Sequence, residues 1–282
     1  MRILLTGRNG QVGWELERML APVGEVIALD RAQLDLCDET SIRRVARTSA
    51  PNVIVNAAAY TAVDRAESEP VLASAVNGIA PAILAEEARR CDALLVHYST
   101  DYVFDGEKGV PYRENDPTSP VSVYGRSKLE GEQAIQASGC RHLILRTGWV
   151  YAARGNNFVR TVLKLARERG ELSVVGDQIG APTSAHELAV ATATLLAQGP
   201  PADGIYHLSA AGETSWYDYA LAIVSLAGPA HAKVRRITTA EYPTAARRPR
   251  YSVLSNERIH NAAGIALSDW RVPLEAVCRA LR

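Results

Sequence analysis

The chain lacks the features that would point it toward an oxidising compartment, a polyanion or a bilayer. Its four cysteines, Cys37, Cys91, Cys140 and Cys278, are scattered with no C-x-x-C pair. That excludes a disulfide framework and a zinc ribbon and fits reduced thiols. Neither charge sign is in excess, with 31 basic and 31 acidic residues, so there is no electrostatic case for nucleic acid or an anionic membrane surface as the main partner. The six histidines show no metal-ligand spacing. The N-terminal apolar run is cut by Gly7-Arg8-Asn9-Gly10, too short for a signal peptide. Uninterrupted apolar segments stop well short of the ~20 residues a spanning helix needs. No repeat or low-complexity tract is visible. The expectation is a soluble cytoplasmic enzyme of one large and one small lobe.

What is present begins with a glycine loop. The apolar strand Ile3-Leu4-Leu5 runs into Gly7-Arg8-Asn9-Gly10-Gln11-Val12-Gly13, and a helix follows from about Gln11 to Leu20. Glycines at 7, 10 and 13 permit a tight turn, close backbone approach to a pyrophosphate, and close packing of helix on strand. The free N–H groups at the helix start favour the phosphates. A second strand, Val26 to Asp30, ends in a carboxylate seventeen residues past Gly13, in register to accept hydrogen bonds from the adenosine ribose. Asp30 argues for NAD, whereas Arg8 and Arg31 argue for NADP by offering charge to a 2′-phosphate. NADH and NADPH both stay open.

Further pairs of strand and helix follow. Helix 39–49 is started by Asp38 or Thr40. Strand Val53-Ile54-Val55 leads into the small residues Asn56-Ala57-Ala58-Ala59, which let backbone approach a ligand. A long helix at 70–91 contains Asn77, a polar position suited to brace the neighbouring loop. Strand Leu94 to His97 leads to Ser99-Thr100-Asp101, a helix runs from Tyr124 to about Ala137, and Leu143 to Thr147 is the next strand. This alternation predicts an α/β fold with a doubly wound parallel sheet of Rossmann type. Ligands bind outside the carboxyl ends of such strands. Beyond Trp149 the alternation weakens. A helix from Asn156-Asn157 to Arg169, a strand at 172–175, helices at 185–196 and 216–227, a strand at 204–208 and a final helix after Pro273 are expected. The division expected is a dinucleotide-binding domain of 1–148 plus part of 181–206, with a smaller α/β substrate lobe of 149–180 and 207–282.

Tyr124 and Lys128 stand four apart, one turn apart on one helix face. Alone, Y-x-x-x-K describes many surface helices. Behind a nucleotide loop and a hydroxyl at a strand end, it describes a hydride-transfer site. An ammonium one turn away favours the phenolate, and the phenol can then exchange a proton at working pH. Trp149 is read equally as a stacking platform or as core. Asn156-Asn157 serve as a phosphate contact or as a helix cap. Arg247, Arg248 and Arg250 suit a diphosphate or a solvated basic patch.

These residues together resemble the extended short-chain dehydrogenase/reductase superfamily, and end to end the chain is similar to the dTDP-4-dehydrorhamnose reductases. The resemblance is carried by Gly7 to Gly13, Asn56 to Asp64, Ser99 to Phe104, Val123-Tyr124-Gly125 with Lys128, Arg146 to Tyr151 and Asp177 to Thr183. It implies NAD(P)H-dependent reduction of the C4 ketone of a dTDP-sugar, dTDP-4-dehydro-L-rhamnose. Thr100, Tyr124 and Lys128 match the catalytic trio. Asp30, Asp35, Leu36, Ala58, Ala59 and Tyr60 match cofactor positions beside Gly7, Gly10, Gln11, Val12 and Gly13. Thr100, Asp101, Tyr102 and Trp149 match nucleotide-sugar positions. The family's tail motif, Arg-Pro-x-Asn-Ser-x-Leu, has Tyr251 and Val253 in place of the Asn and the basic residue, which leaves tail contacts to the nucleotide open. Some members are described as magnesium-dependent homodimers held by glutamates. Glu15 is present here without dependable partners, so Mg2+ and a homodimer stay open. Two other readings are an epimerase or dehydratase of the same superfamily, which would retain NAD+ through its cycle, and a non-catalytic NADP-binding regulatory subunit. Intact Tyr124, Lys128 and glycine loop argue against the latter.

Overall fold

The computed structural model describes residues 1–229 and 231–281. In chain order the first part runs β1 (Arg2–Thr6), α1 (Gln11–Leu20), β2 (Glu25–Leu29), α2 (Glu39–Ser49), β3 (Val53–Asn56), a short α3 (Val63–Ala66), α4 (Pro70–Ser74), α5 (Ala80–Arg90), β4 (Leu94–Thr100), α6 (Val123–Ser138) and β5 (His142–Thr147). The second part adds β6 (Val150–Tyr151), α7 (Phe158–Arg169), β7 (Glu171–Val175), β8 (Ile179–Gly180), β9 (Thr183–Ser184), α8 (Ala185–Gln198), β10 (Gly204–His207), β11 (Thr214–Ser215), α9 (Trp216–Ala227), β12 (Lys233–Ile237), α10 (Glu257–Ala263) and α11 (Arg271–Ala280).

Six strands form one sheet in the order β10-β5-β4-β3-β1-β2, and every pair is parallel. The order reverses beside β1, which opens the ligand crevice there. Each strand feeds two cores, because successive side chains point to opposite faces. Ile3, Leu5, Val96 and Leu145 pack with Leu16 and Leu20 of α1 and Leu188 and Leu195 of α8. Leu4, Ile54, Leu95 and Ile144 pack on the other face with Ile42, Leu84 and Ile135 from α2, α5 and α6. A third core, with Val159, Leu163, Leu172, Tyr219, Ile223, Trp270 and Leu274, is built from the second part of the chain. Ile259 and Ile265 return to the first core, so α10 lies on the main sheet.

Local chemistry explains the boundaries. Asp38 opens α2 by accepting from Ser41 N at 3.1 Å, and Ser122 opens α6 by accepting from Gly125 N at 3.1 Å, both ordinary N-caps. Several expectations need correcting. The last helix starts at Arg271, before Pro273, since a first-turn proline loses no hydrogen bond that the helix would have made. α3, β12 and α10 were not expected. The long helix Pro70–Arg90 contains a π turn at Ala75–Ile79 between α4 and α5. By length and composition it is also long and apolar enough to cross a bilayer. It packs between α2 and α6, with Ile83, Leu84 and Ala85 buried.

Candidate active site

The floor of the site is the glycine loop. Gly7 has φ +75°, and a Cβ there would lie 2.9 Å from Ala58 Cα; a Cβ on Gly13 would lie 2.1 Å from the Gly7 carbonyl oxygen. Backbone therefore sits against backbone, and nothing but glycine fits at 13 without moving α1. Above the loop is a cavity of about 510 Å³, of a size that takes a cofactor. Gly7, Gly10, Gln11 and Val12 line one wall, Asp30, Asp35 and Leu36 the next, Ala58, Ala59 and Tyr60 a third, and Tyr124 and Lys128 the far end. Of the cofactor positions expected from sequence, only Gly13 lies outside the lining, beneath the loop.

Asp30 closes a local turn and lines the cavity as well. Its Oδ1 accepts from Ala32 N at 3.0 Å and Gln33 N at 3.2 Å, and its Oδ2 accepts from Asn9 at 3.2 Å, yet it still faces the cavity. The two arginines separate. Arg31 lines the cavity, whereas Arg8 turns away to pair with Glu17 at 2.7 Å.

The wall at Tyr60 is braced as expected, by Asn77. This side chain is buried in the π turn, accepts from Tyr60 N at 2.8 Å, and donates to Tyr60 O and to Ser127 Oγ at 3.0 Å each. The π turn brings the amide to bear on the nucleotide wall and the Tyr124 helix together, the kind of site where such turns recur.

At the far end β4 delivers Thr100, whose hydroxyl donates to Asp101 Oδ1 at 3.0 Å and accepts from Tyr102 N at 3.1 Å. Burial pushes the Tyr124 phenol up to about 12; a hydrogen bond with Thr100 works against that, and Asp101 reinforces it. The Tyr102 ring meets Tyr124 edge-on at 5.7 Å. The expectation that Lys128 lowers the phenol's pKa is not met in this state. The amine donates to the Tyr98 carbonyl at 2.7 Å and stands 3.2 Å from His97 Nε2. Burial pulls it down to about 8, with Glu132 acting in the opposite direction. Desolvation thus outweighs attraction on both groups. The Asp101 carboxyl is raised to about 6 by burial, against hydrogen bonds with Ser252 and Thr100.

Toward the third core, Trp149 has φ +50° and stacks on Trp216 with ring centroids 3.4 Å apart. Gly180 packs against the same indole, where a Cβ would come within 2.4 Å. One face of Trp149 is therefore already occupied by Trp216, a residue the sequence did not single out. Asn157 caps α7 by accepting from Arg160 N at 3.1 Å, and its amide also reaches Gln11 Oε1 at 2.8 Å, joining α7 to α1 beside the loop. The three tail arginines divide. Arg248 pairs with Asp64 at 2.7 Å, fixing the tail to the segment after Tyr60. Arg247 lies 3.7 Å from Glu107, and Arg250 is exposed. Tyr251 donates to Glu213 at 2.6 Å, so the departure from the tail motif makes a contact within the second part of the chain.

Behind the site, Glu132 takes two bonds from Arg146, at 2.9 and 2.6 Å, and one from Ser99 Oγ at 2.5 Å, all buried. The sequence held a signal for this group, since Tyr124, Lys128 and Glu132 recur every four residues. Glu15 pairs with His186 at 3.1 Å. Among the described residues no three His, Cys, Asp or Glu side chains converge as a metal site.

A family model described as "RmlD substrate binding domain" matches residues 1–282. A dTDP-4-dehydrorhamnose reductase of Burkholderia thailandensis is 50% identical over 295 residues, covering 100% of this chain and 99% of the relative. Among solved structures, a dTDP-4-dehydrorhamnose reductase of Clostridium acetobutylicum superposes with TM-score 0.95 at 40% identity, covering 100% and 99%. One from Bacillus anthracis, in complex with NADP, superposes with TM-score 0.92 at 36% identity, covering 98% of each chain.

Proposed function

The chain belongs to the family described as the RmlD substrate binding domain, and on that premise we propose that it reduces the C4 ketone of dTDP-4-dehydro-L-rhamnose to dTDP-L-rhamnose with NADPH or NADH. The observation that carries the reading is Tyr124 and Lys128 closing the end of a glycine-floored cavity, with Thr100 at the end of β4. The loop at Gly7, Gly10, Gln11 and Val12 would hold the pyrophosphate, and Asp30 the adenosine ribose. The NADP complex of the Bacillus anthracis relative supports a nicotinamide dinucleotide there, and bound in that cavity it supplies hydride to the ketone carbon.

The chain's own part is to manage the oxygen. A phenol held protonated by burial is the correct form to donate in the reductive direction. Tyr124 gives its proton to the oxygen as negative charge develops, and Thr100 hydrogen-bonds the same oxygen. Lys128 is to leave the Tyr98 carbonyl for the nicotinamide ribose, where its charge favours the tyrosinate once the proton has gone. Asp101, Tyr102 and Trp149 are assigned to the nucleotide-sugar.

The test is loss of NADPH absorbance on mixing with dTDP-4-dehydrorhamnose, repeated with NADH and with a chelator. One reduced cofactor consumed per ketone is the expected result. Turnover of a sugar with no net consumption would mean an epimerase or dehydratase, and binding without oxidation would mean a regulatory subunit. A pH dependence follows from Lys128. With the amine at about 8, the ammonium is present below that pH and lost above it. kcat/KM, which reports the free enzyme, should be level near neutrality and fall about tenfold per pH unit on the alkaline side.

A further inference from the structure

Three polar residues lie in one row across the carboxyl end of the sheet. Thr6 of β1 is the register partner of Asn56 of β3, and Asn56 is the partner of His97 of β4. All three are at most 2% exposed, as is Lys128. Ala58 N donates to Thr6 Oγ1 at 3.3 Å, and Thr6 Oγ1 donates to Asn56 Oδ1 at 2.7 Å. Asn56 Nδ2 meets His97 Nδ1 at 3.0 Å, and His97 Nε2 meets Lys128 Nζ at 3.2 Å. The row therefore joins the cofactor cavity wall, at Ala58, to the amine at its end.

The direction of each bond follows from the head of the row. A backbone N–H can only donate, so the Thr6 oxygen accepts and its own proton is left for Asn56 Oδ1. The Asn56 amide then presents N–H to His97 Nδ1, which must be the bare nitrogen. The imidazole is neutral, since burial and the facing Lys128 both hold it well below its ordinary range. Its one proton is therefore on Nε2, aimed at Lys128. An N–H so placed has a partner in the lone pair of an uncharged amine and none in an ammonium. To accept from an ammonium, the imidazole would have to move its proton to Nδ1 and the Asn56 amide would have to turn over.

We propose that His97, oriented through Asn56 and Thr6, is a positioning residue that holds Lys128 against β4 and disfavours its ammonium form there. The other groups facing Lys128 are Glu132 on its own helix, paired with Arg146 of β5, and Tyr124 one turn before it, with Asp101 beyond the phenol. Glu132 opposes His97 by favouring the cation. His97 thus sets the alkaline limit of the reaction. The inference rests on the reductase reading for its turnover assay only.

The experiment is the pH dependence of NADPH binding and of NADPH oxidation in wild type, His97→Gln and His97→Asn. A glutamine carbonyl accepts from an ammonium, and an asparagine keeps a partner for Asn56 but falls short of Lys128. In both variants the alkaline limb should move up by about one pH unit, the size of one altered hydrogen bond at a buried charge. Binding is read without substrate, so absence of turnover would count against the reductase reading alone. A limb that stays in place in both variants overturns the proposal. Should neither variant fold, 15N NMR of the wild-type imidazoles at about pH 9 decides. A His97 ring protonated at Nε2 is expected there, and one protonated at Nδ1 overturns the assignment.

Discussion

Replacing Tyr124 by phenylalanine is expected to lower turnover by ~10²–10⁴, the usual size of a general-acid contribution, with NADPH affinity close to wild type. The ring's packing survives the change, because its aromatic neighbour Tyr102 meets it edge-on and the hydroxyl plays no part in that contact. What is lost is the proton. The remaining hydroxyl at that end is Thr100, which must turn its hydrogen away from Asp101 to serve the developing oxyanion, and then offers a hydrogen bond but no proton. Single-turnover kinetics of NADPH oxidation with and without the phenol measure the effect, and cofactor titration by fluorescence supplies the control. A variant within a few-fold of wild type would remove Tyr124 from its role.

The second large effect is on stability. Glu132→Gln should cost about 3–5 kcal/mol, the range for breaking a buried pair by removing one partner. The Arg146 guanidinium would be left with its charge uncompensated at 2% exposure. At about 2–4 °C per kcal/mol for a chain approaching this size, the thermal midpoint should fall by on the order of 10 °C. The double variant Glu132→Leu, Arg146→Met should recover most of that loss, because removing both charges removes the penalty as well. A single variant that melts within a degree or two of wild type would show that solvent reaches the guanidinium. The same change bears on catalysis with a defined sign. Glu132 is the group that raises the Lys128 pKa, so its loss should move the alkaline limb down, opposite to the His97 variants.

The parts of this site that were legible in the sequence are those written in local spacing. Gly7 to Gly13 define a loop because φ and backbone approach are properties of single positions. Tyr124 and Lys128 define a face because four residues make a turn. Asp38 or Thr40, and the pair Asn156-Asn157, are offered as caps for the same reason, and the structure selects Asp38 and Asn157. The His97 row was not legible, since it depends on which residues of β1, β3 and β4 fall in register, and register is fixed by the whole sheet. The ion pair of Asp64 and Arg248 joins residues 184 apart and leaves no trace in either neighbourhood. β12 was missed because its sequence, Lys233 to Ile237, is largely exposed and basic and becomes a strand only through pairing with β7. The shift of the Tyr124 phenol was misjudged for a related reason. Spacing announces an attractive neighbour but says nothing of desolvation, which is the larger influence once the helix is buried.

The π turn at Ala75–Ile79 makes the length of Pro70–Arg90 a functional quantity. A π turn holds one residue more than an α-helix of the same rise requires. Deleting one of those five residues would let the ladder close regularly with both flanks kept in phase, but it would remove the widened turn that carries Asn77. The Asn77 carboxamide would then no longer reach both Tyr60 and Ser127. Along this stretch the most regular helix and the assembled pocket call for different numbers of residues, so a single-residue indel here can improve the helix while undoing the enzyme.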